Sequence, residues 1–228
     1  MSTTVEQLIA GVTALEQGIR ALEVRERPLA LRGWRDDFLG TAFHEQYSTH
    51  VGNGTVTFVP GGEHGGVIML STNAVLGAWA DMFLGTRADA YLTLDADYGW
   101  TMIWRMKVSS VAGNLRARAG ARDNAANNYI AAGLWQDFGN NWVVVTRLGG
   151  GAVNSVASTV VADTNWHVHR LGVTSGLVNY FVDGSLLVTT PVSVPIVPLT
   201  PWISAFVSAA VARDAYYDWW DVIPQVLS

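Results

Sequence analysis

The chain contains no cysteine, a single lysine (Lys107) and no glutamate beyond residue 63. The first absence removes disulfides, thiolate zinc sites and cysteine nucleophiles. Charge is scarce as well: 14% of residues are charged, the net charge is −5 and the pI is near 5.4. That balance supplies no general pull toward phosphates, so nucleic acid is excluded as an expected partner. Long apolar runs are missing too, since none approaches the ~20 residues of a spanning helix. The N-terminal "MSTTVEQLIAGVTALEQGIR" lacks a basic n-region and an uninterrupted apolar core. The expectation is therefore a chain with no membrane insertion and no export signal.

What is present is apolar and rich in turns. Half of the 228 residues are hydrophobic, and there are 23 glycines and ten tryptophans. A chain of this size can bury one full core, and one main domain is expected. Its organisation reads as an oligomerising helix over 1–27, a linker over 28–35 ("PLALRGWR") and a β domain over 36–228. In the first part Val5, Leu8, Val12, Leu15, Ile19 and Leu22 alternate in steps of three and four, a heptad seam with β-branched residues at a and Leu at d. Thr3 and Glu6 form a candidate capping box and Pro28 ends the pattern. Three heptads barely hold together alone, so contacts between the following domains would have to help.

From residue 36 the text becomes short β-rich runs, among them "TVTFVP", "GVIMLS", "TMIWRMKVS", "LRARAGAR", "YIAAGLW", "NWVVVTRL", "WHVHRLGV" and "LVNYFVDGSLLVTT". Runs of this spacing with no helical period predict an all-β fold, an antiparallel two-sheet sandwich. Asp183-Gly184 predicts a type I′ hairpin. The prolines of "VSVPIVPLTP" predict an edge or a crossing loop, because proline cannot donate to a ladder.

Residues 165–187, "NWHVHRLGVTSGLVNYFVDGSLL", resemble the Trp-His…Val-Asp-Gly signature of laminin-G-like domains, members of the concanavalin A-like lectin and glucanase jelly rolls. "DDFLGTAF" is similar to the first strand of such domains and "AYYDWWDVI" to the last, which usually pairs beside the first. "GGVIMLST", "WRMKVSSV", "RARAGARD", "NNWVVVTRLGG" and "ADTNWH" resemble, in order, internal strands of the subset found at the C-termini of bacteriophage fibre and virion proteins. The resemblance covers roughly residues 36–223 and implies a jelly roll. As heads of that kind commonly form trimers on a helical stem, it also places trimer ahead of dimer.

Chemistry is sparse. Glycosidases of this fold carry an E-x-D-x-x-E strand, because one carboxyl must act as nucleophile and another as acid. All six glutamates here lie at or before Glu63, so no catalytic residue is expected. Asp95 and Asp97 sit beside Gly99, where turn chemistry explains them. His167 and His169 share a strand face without a third ligand at useful spacing, and no metal site or cofactor is expected. Asp36 and Asp37, with Asp218 or Asp221, would be the oxygen-rich convergence for calcium, though strand-edge roles account for them. Arg116, Arg118 and Arg122 alternate on one strand; an anion or acidic-sugar platform competes there with a solvated face that blocks edge pairing, and the latter is the favoured reading. Sugar contacts need aromatic faces with amides and carboxylates at the rim, and "LWQDFGNNW" supplies them through Trp135, Asp137, Asn140, Asn141 and Trp142.

The function expected from these residues and from the resemblance is that of a non-enzymatic virion protein. It would be a head fibre, capsid decoration or short fibre tip, displayed as a homo-oligomer beside other virion proteins and reaching host-surface glycans by avidity. A cellular lectin and a polysaccharide depolymerase are the alternatives.

Overall fold

Alternating burial along the strands decides which faces meet. In Trp100–Val108 the residues Trp100, Met102, Trp104, Met106 and Val108 are buried and those between them are half-exposed, the period-two pattern of a strand with one face on a core. The computed structural model describes residues 34–38, 46–60, 66–85, 94, 99–111, 114–123, 125–174, 176–191 and 197–224. The heptad positions Val5 to Leu22 lie outside the described residues.

Fifteen strands are placed: β1 (Trp34–Asp36), β2 (Tyr47–Gly52), β3 (Gly54–Pro60), β4 (Gly66–Thr72), β5 (Trp79–Leu84), β6 (Trp100–Val108), β7 (Leu115–Arg122), β8 (Tyr129–Trp135), β9 (Asn141–Arg147), β10 (Asn154–Val161), β11 (His167–Thr174), β12 (Leu177–Val182), β13 (Ser185–Pro191), β14 (Thr200–Val207) and β15 (Arg213–Pro224). They form two antiparallel sheets. Sheet A runs β13-β12-β11-β6-β15-β4-β3, with β1 also paired to β15; sheet B runs β10-β9-β8-β7-β14-β5-β2. This is the expected all-β jelly-roll sandwich. A first strand does pair with the last, Trp34 opposite Val222 and Asp36 opposite Trp220, but it ends at Asp36: of "DDFLGTAF" only Asp36 lies in it, Asp37 and Phe38 follow it outside any strand, and 39–43 lie outside the described residues. β1 begins inside the segment read as linker.

The inward faces meet in one large core. Sheet A contributes Ile68, Leu70, Trp100, Trp104, Leu171, Tyr180, Tyr217 and Trp220; sheet B contributes Met82, Leu115, Ile130, Leu134, Trp142, Ile203 and Val207. Tyr217 ties the layers directly. Its hydroxyl, on β15 of sheet A, reaches Arg118 O at 2.9 Å and Ser204 O at 3.2 Å on sheet B.

Asp183 and Gly184 both take positive φ, 49° and 80°, between β12 and β13, as a type I′ hairpin requires. "VSVPIVPLTP" behaves differently from its prediction at one end. Thr200 and Pro201 enter β14, a central strand, where Pro201 stands opposite Ala121 of β7 and the pairing to β5 begins only at Trp202. The missing N–H is tolerated because Pro201 has a ladder partner on one side only. β2 and β5 are strands that the sequence patterns had not marked.

Candidate functional site

β7 sits in the middle of sheet B, between β14 and β8. Leu115, Ala117, Ala119 and Ala121 point into the core, which sends Arg116, Arg118 and Arg122 together to the outer face. A blocking role against edge pairing is thereby ruled out for them, since a central strand has no free edge. Nor are they a solvated fringe. A second buried cluster, Phe83, Tyr129, Trp135, Val143, Val145 and Trp202, occupies the same outer face, and the guanidiniums lie over its rings.

The arrangement is a lattice. Arg116 stands 4.7 Å from the Trp135 ring and 4.5 Å from Phe206; Arg118 is 4.5 Å from Trp135, 5.3 Å from Trp202 and 5.8 Å from Tyr129; Arg122 is 5.2 Å from Phe83 and 5.6 Å from Trp202. Arg116 is directly opposite Trp135 and Phe206, Arg118 and Arg122 are diagonal to Trp202, and Arg122 reaches Phe83 across β14; all lie within the ~6 Å reach of a cation–π contact. Two carboxylates enter it. Asp137 pairs with Arg116 and accepts from Trp135 Nε1 at 3.1 Å and Ser208 Oγ at 3.0 Å. Asp81 accepts from Arg122 at 2.9 Å and from Trp202 Nε1 at 3.4 Å. Partial burial works to raise the pKa of Asp137, but the bonds from Trp135, Arg116 and Ser208 outweigh it and hold the carboxyl below the usual range.

Two depressions open over this lattice. One, of 260 Å³, is lined by Trp79, Asp81, Arg118, Arg122, Ser204 and Phe206. The other, of 200 Å³, is walled by Arg116, Arg118, Arg122 and Arg147 with Tyr129, Trp135 and Trp202 among its remaining lining. Arg118 and Arg122 belong to both. The floor is low around Arg118 because its cross-strand partners are Ser204 on one side and Gly133 on the other. Gly133 has φ of 147°, and a Cβ there would fall 2.2 Å from Ala117 O, so no side chain can rise beside Arg118 at that position. Trp79 and Phe206, directly opposite each other on β5 and β14, keep half-exposed rings at one rim. Trp79 needs a glycine neighbour: a Cβ at Gly52 would meet its Nε1 at 2.2 Å.

The five residues of "LWQDFGNNW" are divided between locations. Trp135 and Asp137 join the outer lattice, by way of a single 3-10 turn over Gln136–Phe138. Asn141 donates from Nδ2 to Ser158 O at 2.6 Å and Asn140 O accepts from Ala162 N at 2.8 Å, so both brace β10 against β9. Trp142 is 1% exposed and faces the main core, which leaves its ring no surface on which a sugar could stack.

The histidine pair divides in the same way. His169 is fully buried, its Nδ1 bonded to the Tyr180 hydroxyl at 2.8 Å and its ring stacked 5.3 Å from Trp104. Burial, aided by the charge of His167, pushes its pKa down to about 3, so it is neutral. His167 lies between Asp183, 2.6 Å from Nδ1, and Asp163, 2.9 Å from Nε2. Asp218 pairs with Arg105, and the Asp36 carboxylate accepts from Tyr47 Oη at 2.7 Å and Phe38 N at 2.7 Å. Among the described residues no three His, Asp or Glu side chains group to hold a metal ion.

No family model and no curated protein matches the chain. Solved structures do resemble it. A protein of unknown function from Shewanella oneidensis MR-1 superposes with a TM-score of 0.61 at 10% identity, over 99% of this chain and 96% of that one. A Bacteroides ovatus mixed-linkage glucan GH16 protein, in complex with a product, gives 0.62 at 12% identity, over 83% of this chain and 99% of that one. The carbohydrate recognition domain of Emp47p gives 0.54 at 12% identity, over 83% and 94%. Identities this low establish fold and nothing finer: the chain shares the two-sheet antiparallel jelly-roll architecture of these structures.

Proposed function

We propose that the chain is a non-catalytic carbohydrate-binding jelly roll whose ligand lies on the outer face of sheet B. The observation that carries this reading is the 260 Å³ depression in which half-exposed Trp79 and Phe206 flank Asp81, Arg118, Arg122 and Ser204. Ring faces suit the apolar side of a pyranose, and guanidinium, carboxylate and hydroxyl groups suit its rim of hydroxyls. The neighbours named as a GH16 glucan protein and a carbohydrate recognition domain share the fold that supports such a face.

Binding without turnover is favoured by the state of the acids. Hydrolysis by a carboxyl pair needs one partner that keeps its proton until the leaving group takes it. Asp137 is held ionised by Trp135, Arg116 and Ser208, and Asp81 is engaged by Arg122 and Trp202. The described residues contain no glutamate at all.

Presentation is the second part of the proposal. The heptad residues Val5, Leu8, Val12, Leu15, Ile19 and Leu22 would gather the domains into a homo-oligomer, a trimer ahead of a dimer, on a virion among other structural proteins, so that several weak sites act together.

A glycan array probed with the full chain tests the binding role. Retention of one glycan class, lost at least 10-fold in Trp79→Ala and Phe206→Ala with melting temperature preserved, is expected. An array with no retained glycan overturns the reading.

A further inference from the structure

We propose that the sheet B site is built for an acidic saccharide, and that Arg118 is the group that takes the carboxylate of a uronic or sialic acid residue. This deepens the carbohydrate-binding reading and rests on it.

The three arginines of β7 are not equivalent. Arg116 has Asp137 and Arg122 has Asp81. Among the described residues Arg118, the central one, has no carboxylate in hydrogen-bonding reach: its one hydrogen-bonding contact there to a side chain is Ser204 Oγ, at 3.5 Å from Nη2, and its Nε, like those of Arg116 and Arg122, is shielded from water with no acceptor. Its remaining contacts are the rings of Trp135, Trp202 and Tyr129, which use the charge without consuming an N–H. Burial pushes its pKa down from the usual guanidinium value by more than the charges of Tyr129 and Asp81 raise it.

Position adds to the argument. Arg118 lines both depressions, and Gly133 and Ser204 leave the space beside it open. Arg147 closes the far side of the smaller one; it is tethered through Nε to Gly151 O and through Nη2 to Gly150 O, both at 2.9 Å, so its charge also lacks a carboxylate among the described residues. Among the described residues four guanidiniums thus stand with two carboxylates on this surface, in a chain whose net charge is −5. A local positive field with an unfilled planar fork at its centre selects a planar two-oxygen anion. The half-exposed rings of Trp79 and Phe206 at the rim of the larger depression suit the sugar ring that carries it.

The test uses the full chain on an array of neutral, carboxylate-bearing and sulfated glycans, followed by calorimetry on the strongest carboxylate-bearing hit and its carboxyl-reduced counterpart. Hits should concentrate among carboxylate-bearing glycans. Carboxyl reduction should weaken binding about 10- to 100-fold, the range of a charge-assisted bond. Arg118→Gln should bind the acidic and reduced ligands equally, and Arg118→Lys should fall between, since it keeps the charge and loses the fork. Should Arg118→Gln fail to fold, the comparison of acidic and reduced ligands on the unmodified chain decides. Hits confined to neutral glycans, or sulfated glycans bound more tightly than carboxylated ones, overturn the inference while leaving the carbohydrate reading standing; no hit of any kind removes both.

Discussion

Tyr217→Phe removes one oxygen from the middle of the sandwich, and its cost can be worked out from the contacts. The hydroxyl is fully buried, and its proton is shared between Arg118 O at 2.9 Å and Ser204 O at 3.2 Å. Burial raises the phenol pKa far above its usual value, so the group is a hydrogen donor at every pH at which the fold exists. Phenylalanine fills the same ring volume, hence no cavity forms and only the polar contribution is lost. A net intramolecular hydrogen bond contributes about 1 kcal/mol, and acceptors left buried raise the loss toward 2 kcal/mol. For a domain of this size that lowers the melting temperature by about 2–8 °C. The two acceptors belong to the residues that form the floor of the proposed site, so glycan affinity should fall several-fold beyond any effect of partial unfolding. Differential scanning calorimetry and titration of the same sample check both. A melting temperature unchanged by the substitution would refute the claim that this hydroxyl ties the sheets together.

Further outcomes are specific. Trp142→Ala should cost about 3–5 kcal/mol, as a buried aromatic truncated in a core, and show as gross loss of stability in chemical denaturation rather than as selective loss of binding. Gly133→Ala, with its positive φ and a carbonyl in the path of the new Cβ, should cost roughly 2 kcal/mol or more, seen as a lower denaturation midpoint with unchanged slope. Burial disfavours the charged form of His167, but its bonds to Asp183 and Asp163 outweigh that and raise its pKa above 6.5. Its contribution is therefore full below 6.5 and is lost as pH rises through the raised value. His167→Gln should flatten that decline in a melting-temperature series taken upward from pH 6. Light-scattering mass should fall between the full chain and one beginning at residue 29; equal masses would remove the role of the leading heptads.

Much of the architecture is legible in the letters because its signals are local. Asp183-Gly184 specifies its hairpin through positive φ, and the apolar alternation of Trp100 to Val108 specifies one buried face. β2 and β5 escape notice for a physical reason. "WADMFL" mixes Ala, Asp, Met and Leu, which carry little strand preference, and its order becomes visible only in the alternation of Trp79, Asp81 and Phe83, a period of two that points three side chains at one face. β5 brings both Trp79 and Asp81 to the site, and β2 supplies Gly52 beside Trp79, so the site could not be assembled without them. The arginine stripe was readable, but its setting was not: whether β7 is an edge or a centre is decided by strand order, a long-range property. Trp135 and Trp142 look equivalent in "LWQDFGNNW", yet one faces the outer lattice and the other the main core. Sequence proximity across a turn does not fix the face on which a side chain emerges.

The most direct test is to map the ligand onto the molecule. An amide chemical-shift titration of the full chain with the strongest array hit should move resonances of Trp79, Asp81, Arg116, Arg118, Arg122, Ser204 and Phe206 and release no new reducing ends. Shifts confined to the strands of sheet A, or cleavage of the glycan during the titration, would contradict a binding face on sheet B.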